Sequence, residues 1–400
     1  MLKTKALAFL ALVLCFTCNA QTTPQEWQVK AVQKYPDLGV SGSALNKQFI
    51  NAYNERRKAD PAFFTNPQWP LMLANELAAQ PGQPASPPAA PSPQATQAIP
   101  SPAPVVPASA QAKPTPNPHS EYEAASIPPA AGLEAAKFRW WAPANTQVRG
   151  VLVLISGKGG DGRGMADDAK WQALATQIQF GILGCMFQNP QNNTGTYQGD
   201  PNGVVSELLN KAIEAELTQN GQTVKNPPLV FWGHSAGGNV TAQYVSRHAN
   251  RVVAAVLVRA PAGPGGSAPG KDEVPILDFV GKKDKPEWVA DSLASYEKGH
   301  TRHAAWTLAL NPKEGHEIGK TQALTFAQIT AAVALRFPPA AFPGEAAKLN
   351  PVSKQSGCWL GHPDTLEVAG YDAFKGTKKD AIWFLNEAAA KAWQDYLRRS

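Results

Sequence analysis

The chain has 400 residues, 43% of them hydrophobic and 17% charged, so it can bury a sizeable core and wholesale disorder is excluded. Its formal net charge is +6, and losing Lys3 and Lys5 with a signal peptide would leave a small, scattered positive charge that does not indicate nucleic-acid binding. Four cysteines exclude a disulfide-rich scaffold, and no apolar run after the first twenty residues is long enough to span a membrane.

The first twenty residues have the features of a secretory signal peptide. A basic start at residues 1–5 precedes an apolar run at 6–16, and Cys18-Asn19-Ala20 resembles a cleavage site, which predicts a cut before Gln21. The apolar run is short for a membrane anchor. A lipoprotein signal is the alternative, although the residues before the two cysteines suit lipid attachment poorly. We therefore expect a secreted or periplasmic protein.

A proline-rich segment divides the mature chain. Residues 81–118 contain 13 prolines in 38 positions, a composition typical of an extended spacer. Before it, residues 21–80 predict a small helical module, since Leu45, Phe49 and Tyr53 share one helical face and a second helix can start at Pro70. The module either binds a surface or polymer, or packs on the catalytic domain, and the sequence leaves both interpretations open.

After residue 118 the chain alternates between apolar runs and helix-like stretches. This alternation predicts a mostly parallel sheet with helices on both faces, an α/β domain over residues 119–400. The predicted strands are residues 151–155, 181–187, 229–232, 252–258, 276–280 and 304–310, with a further edge strand at 137–141. The predicted helices are residues 166–179, 204–218, 237–248, 287–298 and 321–337.

A candidate nucleophile follows the predicted strand at 229–232. The sequence Gly233-His234-Ser235-Ala236-Gly237-Gly238 has the G-x-S-x-G pattern, which is weak alone but specific between a strand and a helix. Glycines are needed there because strand and helix crowd together at such a turn. The N-terminus of the helix would also stabilise developing negative charge. A glycine-rich turn with an idle serine is the alternative interpretation.

A serine nucleophile needs a base within hydrogen-bond reach, and Asp284 and His316 follow strands in the required order of acid, then histidine. Both strands should deliver these side chains to the sheet edge that carries Ser235. The competing residues rank lower on their positions. They are Asp278 inside a strand, Glu287 in the next helix, His300 and His303 before a strand, His234 beside the serine but directed elsewhere by the turn, and His362 in the C-terminal segment.

An oxyanion hole requires backbone N–H donors beside the serine. One expected donor is Ala236, and the other lies in the glycine-rich loop at 156–162, at Gly157 or Lys158. The same loop could be a phosphate cradle, but the Gly-Lys-Ser/Thr ending of a P-loop is absent. The sequence also has no Cys/His spacing typical of zinc sites, so no metal is expected.

With these motifs, residues 135–340 resemble the α/β-hydrolase superfamily. Besides the serine motif, Asp284 and Gly315-His316, the segments 138–143 and 149–154 match the first strands of that fold. The chain is similar to secreted esterases of the feruloyl-esterase, polyhydroxybutyrate-depolymerase and dienelactone-hydrolase-like branches. This resemblance implies the α/β-hydrolase fold and ester hydrolysis through an acyl-enzyme, without a cofactor. It does not fix the substrate, and the tail after Phe337 matches none of these branches.

The sequence therefore predicts a secreted serine carboxylesterase that acts on polysaccharide-linked or aromatic esters. A serine peptidase of the same fold and a non-catalytic binding protein are the alternatives. The expected partner is an ester substrate, with no nucleic acid and no stable membrane insertion after signal removal. Cys185 and Cys358 would remain in an oxidising compartment, where a disulfide between them and two separate thiols are both open.

Overall fold

The computed structural model describes residues 27, 30–32, 34–39, 44–66, 68–79, 119–128, 132–188, 200, 202–265, 271–338, 348–352, 354–355 and 357–399. The predicted signal peptide and the proline-rich spacer lie outside these residues, and both stay predictions. The described residues belong to two compact units.

The first unit contains two helices that share a small core. These helices are α1 (Ala44–Ala59) and α2 (Trp69–Ala78). Leu45 and Phe49 of α1 are buried in the same cluster as Leu73 and Leu77 of α2. Each pair is spaced by four residues and therefore lies on one face of its helix. The helices expected in this part of the sequence are thus present.

The second unit is built on an eight-stranded sheet. Its strands are β1 (His119–Glu123), β2 (Ala135–Trp141), β3 (Gly150–Ile155), β4 (Phe180–Gln188), β5 (Leu229–His234), β6 (Val252–Val258), β7 (Ile276–Gly281) and β8 (Trp306–Asn311). Their order across the sheet is β1-β2-β4-β3-β5-β6-β7-β8. Strand β2 is antiparallel to both of its neighbours, whereas every pair from β4 to β8 is parallel. The parallel strands therefore end at one common edge.

The central strands are buried along their whole length. Every residue of β3, β6 and β7 is buried. Helices cover a parallel sheet on both faces, which explains why these strands are continuous apolar runs without polar alternation. Their covering helices are α3 (Ala169–Ile178), α4 (Val204–Gln219), α5 (Ala236–His248), α6 (Pro286–Thr301) and α7 (Gln322–Arg336).

The edge of the sheet and the start of one helix differ from the prediction for reasons that the structure shows. The strand expected at the edge is β2, and the polar strand β1 covers it, with His119 opposite Trp141. The hydrophobic pattern gave no signal for β1, because its sequence is His-Ser-Glu-Tyr-Glu. The helix expected over 166–179 begins only at Ala169, since the Asp168 carboxylate accepts hydrogen bonds from the first backbone N–H groups of α3 and so caps it.

The C-terminal segment forms a small antiparallel sheet and a last helix. These elements are β9 (Trp359–Gly361), β10 (Val368–Gly370), β11 (Ile382–Phe384) and α8 (Glu387–Arg398). The Thr307 hydroxyl donates to the Trp383 carbonyl at 2.7 Å, and the Trp393 indole N–H donates to the Leu308 carbonyl at 2.9 Å. The tail is therefore held against β8, the last strand of the large sheet.

The structure overturns the disulfide interpretation of the two mature cysteines. Cys185 and Cys358 are both free and buried. Cys185 lies on β4, whereas Cys358 precedes β9 in the segment that is fastened to β8. Four strands separate β4 from β8, which corresponds to roughly 24 Å at about 4.8 Å per strand. Burial raises the pKa of the Cys185 thiol well above its usual value, as expected for an inert core thiol.

Among the residues that the structure describes, no helix combines the length and the apolar character needed to cross a membrane.

Candidate active site

Ser235 lies in a strained turn between β5 and α5. Its backbone has φ of 53° and ψ of −119°, values that non-glycine residues rarely adopt. A Cβ at Gly233 would lie 2.3 Å from the Gly237 carbonyl oxygen, and one at Gly237 would lie 2.5 Å from the Ile155 carbonyl oxygen. Only glycine fits at these two positions. The two glycines therefore let strand and helix approach closely enough to present the serine hydroxyl at the sheet edge.

The structure brings Ser235, His316 and Asp284 together in one hydrogen-bonded series. The Nε2 atom of His316 lies 2.8 Å from the Ser235 hydroxyl oxygen, and its Nδ1 atom lies 2.6 Å from Asp284 Oδ2. Asp284 is nearly buried, with 8% of its side chain exposed, whereas 35% of the His316 side chain is exposed. The carboxylate accepts the Nδ1 proton, so Nε2 is left unprotonated and can accept the proton of the serine hydroxyl.

The loops that carry the acid and the histidine are packed directly against each other. A Cβ at Gly281 would lie 2.3 Å from the Gly315 carbonyl oxygen, so the close approach of the two loops requires glycine there. The Lys283 N–H also donates to the Glu314 carbonyl at 2.9 Å. The other carboxylate oxygen of Asp284 accepts the Lys285 N–H at 2.8 Å, which fixes the orientation of the carboxylate.

His234 supports this arrangement, although the sequence suggested that it points elsewhere. Its Nε2 lies 2.9 Å from the backbone carbonyl oxygen of His316. Because a carbonyl only accepts, Nε2 must carry the proton of the ring. Burial lowers the pKa of His234, which favours this neutral form. His234 therefore anchors the backbone of the neighbouring histidine.

Trp288 of α6 forms one wall beside the histidine. Its ring centroid lies 4.9 Å from that of His316. The Lys285 ammonium lies 4.1 Å from the Trp288 ring centroid, which is within the range of a cation–π contact.

The lower-ranked histidines and Glu287 lie elsewhere. His300 is part of α6, with Nε2 beside the Lys379 carbonyl, and His303 follows that helix. His362 Nδ1 accepts backbone N–H groups of a turn at 3.2 and 3.3 Å. Glu287 is exposed in the first turn of α6. None of these side chains has a hydrogen bond to Ser235, His316 or Asp284 among those found in the described part of the chain.

The glycine-rich loop after β3 passes beside the serine. A Cβ at Gly157 would lie 3.2 Å from Ser235 Cβ, and the loop is closed by a hydrogen bond of 3.0 Å from the Gly160 N–H to the Gly157 carbonyl. Gly157 thus lies beside Ser235, Lys158 follows it in the same loop, and Ala236 is the first residue of α5. The alternative of a phosphate cradle is not supported, because Asp168 already caps the next α-helix.

Asp278, the remaining rival carboxylate, is enclosed in the sheet. It is fully buried on β7, opposite Leu257 and Leu308, and neither carboxylate oxygen has a hydrogen-bond partner among the described residues. Burial raises the pKa of Asp278 to about 8, and the nearby charge of Arg259 only partly opposes this effect. The carboxyl group therefore favours its neutral form in the folded protein.

Because the Asp278 carboxyl is buried, we predict that the free energy of unfolding falls as pH rises. The pKa of Asp278 is higher in the folded than in the unfolded chain. Between about pH 4 and pH 8 the unfolded chain is therefore deprotonated while the folded chain keeps its proton, and the free energy of unfolding falls as pH rises. Asp278→Asn should remove a pH dependence on the order of 5 kcal/mol across that window. Chemical denaturation at several pH values would measure it, with the exposed Asp291→Asn as the matched control. Parallel pH profiles for wild type and Asp278→Asn would contradict the prediction.

Clusters of three or more histidine, cysteine, aspartate or glutamate side chains that could hold a metal ion do not occur in the described ranges.

No family model matches the chain, and no curated protein matches it either. Among solved structures it is similar to poly(aspartic acid) hydrolase-1 from Sphingomonas sp. KT-1, with 19% identity, a TM-score of 0.39, and coverage of 53% of this chain and 98% of that chain. A ferulic acid esterase has 10% identity and a TM-score of 0.42, with coverage of 54% and 97%. The poly(3-hydroxybutyrate) depolymerase LpqC from Bordetella parapertussis has 15% identity and a TM-score of 0.35, with coverage of 50% and 83%. At such low identities and scores these similarities assign no activity.

The topology of the sheet is itself diagnostic. Its second strand is antiparallel, β4 precedes β3 across the sheet, and all later strands are parallel and follow in chain order. Loops from the common edge of these parallel strands carry Ser235, Asp284 and His316, in the order serine, acid, histidine along the chain. The prediction of fold class is confirmed, and the chain has the α/β-hydrolase fold.

Proposed function

We propose that the protein is a serine carboxylesterase that works through an acyl-enzyme on Ser235. The observation that carries this proposal is the hydrogen-bonded series from Ser235 through His316 to Asp284, with distances of 2.8 and 2.6 Å. A serine hydroxyl alone is a poor nucleophile, and an adjacent base oriented by a carboxylate is the arrangement that activates it. Ser235, His316 and Asp284 are therefore the proposed catalytic residues.

In the acylation half-reaction, the Ser235 oxygen attacks the ester carbonyl carbon while His316 Nε2 accepts the hydroxyl proton. The carbonyl oxygen becomes an oxyanion in the tetrahedral intermediate. Asp284 stabilises the imidazolium that forms and holds its orientation. The bond to the alcohol then breaks, and His316 returns the proton to the leaving alcohol oxygen, which leaves the acyl group on Ser235.

Deacylation repeats these steps with water as the nucleophile. His316 takes a proton from the water, whose oxygen attacks the acyl carbon. Collapse of the second tetrahedral intermediate releases the carboxylic acid and returns the proton to the Ser235 oxygen. No redox step or group carrier is needed, so the proposal includes no cofactor.

The proposed oxyanion donors are the backbone N–H of Ala236 and one N–H of the loop at Gly157 or Lys158. Ala236 is the first residue of α5, so its N–H has no carbonyl partner one turn earlier in that helix. The loop is placed at the serine by the absence of a side chain at Gly157. Donors fixed in this way stabilise the charge that develops on the carbonyl oxygen.

We propose an ester attached to a polymer or bearing an aromatic group as the natural substrate, met outside the cytoplasm. The support is the predicted signal peptide, the predicted spacer and a separate helical unit. The half-buried Trp288 beside His316 adds an aromatic wall at the site. Aromatic side chains in such positions suit sugar or aromatic rings.

Turnover of p-nitrophenyl acetate and of a peptide p-nitroanilide by the purified protein tests the reaction class. We expect hydrolysis of the ester and little or none of the anilide. Faster hydrolysis of the anilide would instead indicate a serine peptidase of the same fold. Hydrolysis of neither would favour a binding protein that has kept the fold.

Deleting residues 21–118 should leave hydrolysis of small esters within about threefold of the full chain. The sheet and the three proposed catalytic residues all follow residue 118, and a proline-rich spacer transmits little packing energy. The values of kcat and KM for p-nitrophenyl acetate would be compared for the two proteins. An insoluble or inactive truncation would show that the N-terminal helices belong to the hydrolase core.

A further inference from the structure

Arg259 is a buried cation in a strained backbone position directly behind the proposed site. It follows β6, its guanidinium side chain is fully buried, and its φ is +53°. Non-glycine residues hold this conformation only where their surroundings over-determine it. A buried guanidinium also requires partners that compensate for lost water.

The partners of Arg259 lie on both sides of His316. One terminal nitrogen of the Arg259 guanidinium forms an ion pair with the Glu314 carboxylate. The Nε–H of Arg259 donates to the Glu317 carbonyl at 3.2 Å. Glu314 and Glu317 lie two residues before and one residue after the histidine. A single planar group therefore holds both ends of the short segment that carries the proposed base.

Tyr396 joins this group from the C-terminal helix α8. Its hydroxyl donates to Glu314 Oε2 at 2.5 Å, and the Arg259 guanidinium donates to the Tyr396 oxygen at 3.3 Å. The Tyr396 ring packs edge-on against Phe279, with 5.2 Å between the ring centroids, and this packing holds the hydroxyl in position. Burial raises the pKa of Tyr396 to about 12, so the hydroxyl remains a donor.

We propose that Arg259 is a positioning residue for His316. Arg259, Glu314 and Tyr396 form a clamp on the segment that carries this histidine, and Tyr396 makes the C-terminal segment part of the clamp. The inference rests on the proposed function, because it assigns the clamp to proton transfer by His316. Arg259 acts through Glu314 and Glu317 and does not touch the reacting atoms. The segment after residue 348, whose role the sequence did not show, thereby supports the catalytic histidine.

Three variants test the clamp. Tyr396→Phe removes one hydroxyl and keeps the ring that packs on Phe279. Arg259→Lys keeps the charge but loses the planar group that reaches both ends of the segment. Tyr244→Phe is the matched control, since it removes a buried hydroxyl whose 2.7 Å hydrogen bond goes to Asn210, away from the site.

The readout compares two acetate esters that differ in their need for a proton donor. p-Nitrophenolate leaves without protonation, whereas the phenolate of phenyl acetate depends more on a correctly placed imidazolium. Loss of position should therefore lower kcat/KM, which reports the acylation step in which the leaving group departs, more for phenyl acetate than for p-nitrophenyl acetate. We expect about a 3- to 10-fold decrease for Tyr396→Phe and about a 10- to 100-fold decrease for Arg259→Lys. The double variant should lose less than the product of the single losses.

A second readout does not depend on turnover. Proton NMR should show a far-downfield resonance for the Nδ1 proton between His316 and Asp284, assigned by its loss in Asp284→Asn. This resonance should shift or broaden in Arg259→Lys and Tyr396→Phe, and not in Tyr244→Phe. An unchanged resonance, or equal losses on both esters in step with a lower folded fraction, would overturn the inference. A wild-type protein that hydrolyses neither ester would contradict the proposed function instead, and the resonance would still test the clamp.

Discussion

Replacing Ser235 by alanine is expected to lower kcat for p-nitrophenyl acetate at least about 10⁴-fold, because the hydroxyl that becomes acylated is removed. Folding should be unaffected. The serine hydroxyl has a hydrogen bond of 2.8 Å to His316 Nε2 at a half-exposed position, and alanine adds no atom to the turn. Steady-state kinetics and a thermal melt of the same preparation would measure both effects.

Ser295→Ala provides the control for this substitution. Ser295 lies on α6, and its hydroxyl donates to the Gly265 carbonyl at 3.2 Å. The substitution therefore removes a comparable hydrogen bond outside the proposed site. We expect turnover close to that of wild type. Retained turnover in Ser235→Ala, with the melt unchanged, would show that the strained turn after β5 does not carry the nucleophile.

Asp284→Asn is expected to lower kcat by about 10³- to 10⁴-fold while the geometry of the site is kept. The Lys285 N–H donates to Asp284 Oδ1 at 2.8 Å, so the amide oxygen of asparagine would take that position. Its NH₂ group would then face His316 Nδ1, which would have to accept. The ring proton would move to Nε2, and the imidazole could no longer take the proton of the serine.

The neighbouring carboxylate Glu287 offers a matched control for the acid. It is exposed in the first turn of α6, close to Asp284 in the chain. Glu287→Gln removes a negative charge from the same region, and turnover should stay within about twofold of wild type because no hydrogen bond to the histidine is lost. A large loss in Glu287→Gln together with a small one in Asp284→Asn would exchange their roles.

The parts of the site that are local in sequence could be predicted from it. The strand, the serine turn and the helix are contiguous, and their steric requirement appears as glycines two positions from Ser235 on either side. Asp284 and His316 could be placed because parallel strands end at a common edge, so residues just after successive strands must meet there.

The features that the sequence did not show depend on contacts between distant residues. Arg259 meets Glu314 across 55 positions and Tyr396 across 137, and no periodic pattern marks such pairs. The sequence directs the His234 side chain past the serine, and in the fold that direction brings it to the His316 carbonyl. The sequence does not indicate strand β1, because this polar edge strand lacks the apolar residues that mark the other strands.

Covalent labelling with a fluorophosphonate, followed by peptide mapping, tests the central claim most directly. An activated serine attacks the phosphorus and displaces fluoride, so the label marks the nucleophile whatever the natural substrate is. We predict one label per folded chain, on the peptide that contains Ser235, with ester hydrolysis lost in proportion to labelling and no label on Ser235→Ala. A label on another residue, or full esterase activity after complete labelling of Ser235, would contradict the account.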